Sequence, residues 1–130
     1  MTFSLDANTV IALFKGHKQV WKRLERHSLL DCIVSSVVMH ELYFGAYNSA
    51  RVQANLERIE ALRFEVVDFD QNDARVSGEL RALLKSSGRP IGPLDTLIAG
   101  QAVARGFTVI TRNSGEFSRV MGLAHENWED

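Results

Sequence analysis

A chain of 130 residues with a formal charge of −1, 45% hydrophobic residues and one cysteine is long enough for one core without disulfides. A domain of about 150 residues buries roughly 70% of its unfolded surface. The near-neutral charge excludes a global attraction to nucleic acid, so such binding would have to come from local patches or from metal ions. No apolar run approaches the roughly 20 residues that cross a bilayer, and the N-terminus carries Asp6 where a leader would be basic. A single domain over residues 1–130 is expected, soluble, cytoplasmic and without membrane contact. Cys32, within Leu29-Leu30-Asp31-Cys32-Ile33-Val34, reads as a buried structural thiol.

Taken in order, Phe3 to Asp6 reads as a short strand with Asp6 at its C-terminal end, and Asn8 can cap a helix from Thr9 to Phe14. His17 to His27 is helical, with Val20, Trp21 and Leu24 facing inward and Lys18, Lys22 and Arg26 forming a basic stripe four residues apart. That stripe reads as a solvated surface, with contact to nucleic-acid phosphates as the sharper alternative. Asp31 to Val34 forms a second strand, after which Ser35 or Ser36 caps a helix from Val37 to about Tyr47. Glu41 lies in this helix among apolar neighbours on nearly every side, and a carboxylate is rarely buried without a partner.

A helix from Arg51 to Leu62 precedes a third strand, Phe64 to Phe69. Asp70 caps a helix to about Lys85 that turns Val76, Leu80, Leu83 and Leu84 inward. The stretch from Ile91 to Asn113 then reads as a helix followed by a buried strand. Pro93 suits the first helical turn, Leu94, Leu97, Ile98 and Ala102 share a face, and Gly106 closes the helix in a left-handed cap. Asp95 falls in the first turn, where the helix dipole favours its ionised form beside packed apolar residues. Phe107 to Ile110 is the fourth strand, and Gly122 to His125 a last edge strand.

Strands alternating with helices imply an α/β fold, a parallel sheet covered on both sides, whose functional crevice lies outside the carboxyl ends of the strands. Asp6, Glu41, Asp95 and Asn113 converge on that rim. Clustered carboxylates repel one another and stay ionised together only when a divalent cation neutralises them. Mg²⁺ or Mn²⁺ suits such hard oxygen ligands, leaves coordination positions open for a substrate phosphate, and would lower the pKa of a bound water. No P-loop, nucleophile elbow or zinc spacing competes with this reading. Asp68 and Asp70 raise a phospho-acceptor signalling domain as a rival, but that rival wants a second acid beside Asp6 and a late lysine, where Ala7, Asn8 and Arg112 stand.

The segments Ser4-Leu5-Asp6-Ala7-Asn8, Ser36-Val37-Val38-Met39-His40-Glu41-Leu42, Gly92-Pro93-Leu94-Asp95-Thr96-Leu97-Ile98-Ala99 and Val109-Ile110-Thr111-Arg112-Asn113-Ser114-Gly115-Glu116-Phe117 together resemble a PIN-domain ribonuclease of the VapC toxin type. The similarity covers the whole chain, to Glu126-Asn127-Trp128. It implies a three-layer α/β/α PIN-like domain with a mostly parallel central sheet of four to five strands. The implied activity is that of a Mg²⁺- or Mn²⁺-dependent endoribonuclease that cuts structured RNA, commonly tRNA, and is restrained by a cognate VapB-type antitoxin.

The resemblance makes Asp6, Glu41 and Asp95 the metal ligands, with Asn8 supporting the first acid and Thr111 hydrogen-bonding around the site. Many members carry a fourth acid where this chain has Asn113, an amide without charge; Glu116, three residues on, can supply the missing carboxylate. Such proteins form homodimers and toxin–antitoxin hetero-oligomers. Trp21, Tyr43, Phe44 and Tyr47 are candidates for those surfaces, although aromatic residues at helical spacing more often belong to a core. A catalytically silent scaffold that binds RNA or antitoxin is the alternative Asn113 leaves open.

Overall fold

The computed structural model describes all residues, 1–130. Its strands are β1 (Phe3–Leu5), β2 (Cys32–Ser35), β3 (Glu65–Val67), β4 (Thr108–Ile110) and β5 (Ala124–Glu126). They form one sheet in the order β3-β2-β1-β4-β5. Every neighbouring pair is parallel, so the sheet is wholly parallel where the sequence promised mostly parallel strands. The three central strands β1, β2 and β4 are buried along their whole length. This is why they read as continuous apolar runs, as strands covered on both faces do.

The helices are α1 (Ala7–Phe14), α2 (Lys18–Glu25), α3 (Ser36–Tyr47), α4 (Val52–Glu60), α5 (Gln71–Ser86), α6 (Pro93–Arg105) and the short α7 (Ser114–Phe117). Pro93 opens α6, and Gly106 closes it at φ 72°, its N–H donating to Ala102 O, as the sequence predicted. The core is one cluster running from Phe3 to Trp128. Near the C-terminus Trp128 is buried, its ring stacked on His27 at 5.5 Å and edge-on to Phe3 at 5.4 Å.

Several local expectations are corrected. Asp6, not Asn8, caps α1: it leaves β1 in extended conformation and its Oδ1 accepts from Ala7 N, so the helix starts two residues earlier than expected. α3 is apolar nearly all round, yet only the stripe Val38, Leu42 and Ala46 is buried; Phe44 and Tyr47 are 64% and 66% exposed. Trp21 and Leu83, expected to face inward, are 43% and 62% exposed. The last strand begins at Ala124, and neither the single turn at Leu29–Asp31 nor α7 was foreseen.

One buried polar network was also missed. Asp73, 1% exposed, accepts from Gln101 Nε2 at 3.2 Å and from Arg105 Nε and Nη2 at 3.1 and 2.9 Å. Burial alone would raise the Asp73 carboxyl; the hydrogen bonds from Arg105, Asp70 N and Gln101, with the Arg105 charge, outweigh it and hold it below the usual range. Asp70 caps α5 in a reciprocal box with Asp73 and pairs with Arg105 at 3.2 Å. Asp70 thus helps join α5 to α6, and Asp68 contributes its backbone carbonyl, which accepts from Gln101 and Arg105.

Candidate active site

The strand order places the functional crevice. The chain proceeds from β1 outward to β2 and β3, then returns to the other side of β1 as β4, so the switch point lies between the carboxyl ends of β1 and β4. Asp6 follows β1 and Thr111 follows β4, on either side of that point.

Asp6 is 2% exposed and held from several directions. Its Oδ1 accepts from Ala7 N at 2.8 Å, and its Oδ2 accepts from Thr111 Oγ1 at 2.7 Å and from Asn8 Nδ2 at 3.1 Å. Burial pushes its carboxyl above the ordinary value; those three hydrogen bonds oppose the rise and the charge of Glu116 adds to it. Thr111 is itself fully buried and accepts from Asn113 N at 3.0 Å, while Asn8 Oδ1 accepts from Arg112 N at 3.2 Å. Asn8 and Thr111 thus both bond to Asp6 and tie the loop after β4 to the start of α1.

Glu41 and Asp95 line the same cavity as Asp6, an opening of about 250 Å³ that Asn113 also lines. Glu41 stands in the second turn of α3, beside its buried stripe. Burial, then the charge of Asp6, pushes its carboxyl up to about 7. Asp95 is raised to about 8 by burial, by the hydrogen bond it shares with Glu116, and by the charges of Asp6, Glu116 and Glu41. Glu116 goes the other way. Its interaction with Asp95, the 3.1 Å bond from Gly92 N and the charge of Arg119 outweigh its burial and hold it below the ordinary value. Glu116, half-buried, interacts with Asp95 without lining the cavity, while Asn113 is exposed at the cavity rim.

No ion pair joins Asp6, Glu41 or Asp95 to a cationic side chain. Glu41 Oε1 is one of only two buried side-chain polar atoms in the chain without a hydrogen-bond partner; the other, Glu129 Oε2, belongs to a second glutamate lining this cavity. An orphaned charged oxygen costs more than the about 1–3 kcal/mol of a neutral group, so such an atom calls for a donor or a cation. No three acids or histidines are drawn together into a ready-made cage. An ion such as Mg²⁺ keeps several waters and takes only one or two carboxylates, so an open ring of hard oxygen donors suits it. The residues present fit such an ion by their donor chemistry and by the orphaned oxygen.

The sequence reading missed Ile11, Lys15, His17 and Glu129 as cavity residues. A signal for two of them was present: Ala7, Ile11 and Lys15 recur every four residues on the helix that follows Asp6, and so share one face. Lys18, Lys22 and Arg26 are exposed on α2 and do not line the cavity.

The pattern of the family described as "PIN domain" matches residues 4–123. The tRNA(fMet)-specific endonuclease VapC of Shigella flexneri is 40% identical over 131 residues, covering 98% of either chain. The ribonuclease VapC2 of Rickettsia felis is 35% identical over 133 residues, covering 99% of either. Among solved structures, DNA-bound VapBC from Salmonella typhimurium contains a chain 34% identical that superposes with a TM-score of 0.92 over 98% of both. With four-fifths and more of its length matched and its acids gathered at the sheet's switch point, the chain belongs to the PIN-domain family, among its VapC-type ribonucleases.

Proposed function

We propose that the chain is the toxin of a type II toxin–antitoxin pair, an endoribonuclease that cuts structured RNA with a divalent ion, Mg²⁺ or Mn²⁺, held by Asp6, Glu41 and Asp95. The observation that carries the reading is the partnerless Glu41 Oε1 in a cavity where Asp6, Glu41 and Asp95 each hold protons more tightly than ordinary carboxyls. Without a cation these groups resist ionising together; with one, they would ionise and hold it, one or two directly and the rest through its waters. When bound, the ion supplies polarisation of the scissile phosphate and acidification of the attacking water.

The chain's own residues do the positioning. Thr111, Asn8 and Ala7 N orient Asp6, Glu116 holds Asp95, and Gly92 N fixes Glu116. Asn113, at the rim, offers an amide oxygen without charge. Two further carboxylates stand near the site, Glu129 on the cavity wall and Glu116 beside Asp95. The name of the Shigella relative makes initiator tRNA the first substrate to try, and the VapBC complexes make a VapB-type antitoxin the expected partner. Homodimers and toxin–antitoxin hetero-oligomers would cover surfaces such as exposed Phe44 and Tyr47.

The test is cleavage of total cellular RNA, and of initiator tRNA, by purified chain freed of any partner, with Mg²⁺, Mn²⁺ or chelator. Discrete fragments that require both the metal and Asp95, judged against Asp95→Asn, are expected. Intact RNA after incubation with a folded chain that binds Mg²⁺ would overturn the reading in favour of a binding scaffold.

A further inference from the structure

Any RNA entering the cavity meets an electrostatic obstacle. Its walls carry four carboxylates, Asp6, Glu41, Asp95 and Glu129, against two side chains of fixed positive charge, Lys15 and Arg112. A polyanion is repelled by such a surface unless the charge is offset. A single divalent ion would offset half of it, and the two cations the remainder. Neither cation is spent on structure: the ion pairs of this chain involve His17, Arg23 and Arg105, and none involves Lys15 or Arg112.

Their placement follows from α1. Arg112 is anchored at its start, where its backbone N–H donates to Asn8 Oδ1 at 3.2 Å. Lys15 is the residue that closes the helix, on the face it shares with Ala7 and Ile11. At about 1.5 Å per residue, the seven steps from Asn8 to Lys15 span roughly 10 Å. Lys15 and Glu41 also line the adjoining cavity of about 430 Å³ between α1, α3 and α4, so Lys15 borders both openings.

We propose that Lys15 and Arg112 are the phosphate-binding residues of this site, one at each end of α1, and that together they hold an RNA strand along that helix and across the acids. The assignment rests on the ribonuclease reading and deepens it by naming how the substrate is seated. It also separates the basic side chains: Lys15 and Arg112 face the substrate, and the α2 stripe of Lys18, Lys22 and Arg26, outside the cavity, does not.

The experiment compares wild type, Lys15→Gln, Arg112→Gln, the double variant and Lys22→Gln. RNA affinity is measured across a series of salt concentrations, and cleavage kinetics in Mg²⁺. Each cavity substitution is expected to flatten the slope of log affinity against log salt by about 0.7, the value for one single-strand phosphate contact. Each is expected to raise KM roughly tenfold, as for a lost charge-assisted hydrogen bond, with kcat held. Lys15→Arg should restore the slope, Lys22→Gln should leave it unchanged, and the thermal shift on adding Mg²⁺ should persist in all. A double variant with wild-type slope and KM, in a chain that cleaves RNA, overturns this assignment alone. A wild-type chain that binds no RNA overturns it together with the ribonuclease reading.

Discussion

Thr111 Oγ1 donates a 2.7 Å hydrogen bond to Asp6 Oδ2, joining the residue that follows β4 to the residue that follows β1 although 105 positions separate them in sequence. Parallel pairing brings the two together: Leu5 is in register with Ile110, so the next residue on each strand emerges at the same edge. The same hydroxyl accepts from Asn113 N, leaving the loop after β4 with a defined exit. Thr111→Val keeps the shape and removes both of these bonds, along with a longer one from Asn8 Nδ2. Loss of such a partner behind a metal ligand typically costs 10–100-fold in metal affinity or activity. A drop of that size in RNA cleavage is expected, partly recovered by raising Mg²⁺. Cleavage at the wild-type rate and the wild-type Mg²⁺ requirement would show that Asp6 does not depend on this bond.

Asp95 is where function and stability oppose each other. Its folded-state carboxyl titrates near 8 and that of Glu41 near 7, both above the about 3.9 and 4.3 of unfolded chains. The folded state therefore binds more protons than the unfolded state between those limits, so the metal-free chain loses stability from these groups as pH rises from about 4 to 8. Asp95→Asn removes one contributor. At pH 8 without metal it should melt higher than wild type by on the order of 1 kcal/mol, or about 4 °C. At pH 4.5 the gap should narrow. Adding Mg²⁺ at a hundred times its Kd should stabilise wild type by about 2.7 kcal/mol and the variant much less. Melting curves at two pH values settle the matter: an Asp95→Asn chain no more stable than wild type at pH 8 would contradict the mutual repulsion inferred here.

The strands and the three acids were legible because they depend on local pattern. Buried parallel strands are continuous apolar runs, Pro93 and Gly106 mark the ends of α6, and an acid closing a strand or opening a helix falls at the functional edge of such a sheet. What failed to show depends on three-dimensional neighbours. Asp6 and Asn8 are both good capping types, and only the path out of β1 chooses between them. Trp21, Phe44 and Tyr47 have the spacing of core residues, but the stripe that is buried lies on another side of each helix. Asp73 meets Gln101 and Arg105, 28 and 32 residues away, only because α5 packs on α6. Glu116 reads in sequence as a substitute for the acid missing at Asn113, but its bond from Gly92 N, 24 residues away, has no local signal.

The Asp73 network predicts an acid limb of opposite sign to that of the active-site groups. Asp73 is held below its ordinary carboxyl value in the fold, so the unfolded state binds more protons. Its contribution is complete above the unfolded value of about 3.9 and is lost as pH falls through the folded one. Wild type should lose stability on going from pH 5 to below pH 4. Arg105→Met leaves Asp73 buried without its cation, at a cost of about 3 kcal/mol at neutral pH, tempered by the surviving bonds from Gln101 and Asp70 N. Because the variant's Asp73 titrates nearer its unfolded value, its stability should vary less with pH in the acid range. Urea unfolding at pH 7, 5 and 3.5 measures both effects, and parallel pH profiles for the two chains would dismiss Arg105 as the cause.

Gly100 makes the packing of α5 on α6 possible. It lies in the middle of α6, fully buried, and a Cβ placed there would run into the Cα and Cβ of Ser77 on α5. By helix propensity alone, Gly100→Ala would stabilise by about 1 kcal/mol. The collision opposes it, because the obstacle is the backbone and first side-chain carbon of a helix and no flexible side-chain end can move aside. Overpacking of this kind costs about 1–3 kcal/mol or more, so the sum is destabilising and α5 must shift outward. That shift strains the Asp73 contacts with Gln101 and Arg105, which hold the same two helices together. Gly100→Ala is expected to melt roughly 4–8 °C lower, whereas Gly78→Ala, where nothing lies within 4 Å of the new carbon, should melt at or above wild type. If Gly100→Ala proved as stable as Gly78→Ala, the helices would pack less closely than the Ser77 contact requires. If it melted lower but still cleaved RNA as wild type once folded, the strain would be confined to the α5–α6 seam and would not reach Asp95 at the other end of α6.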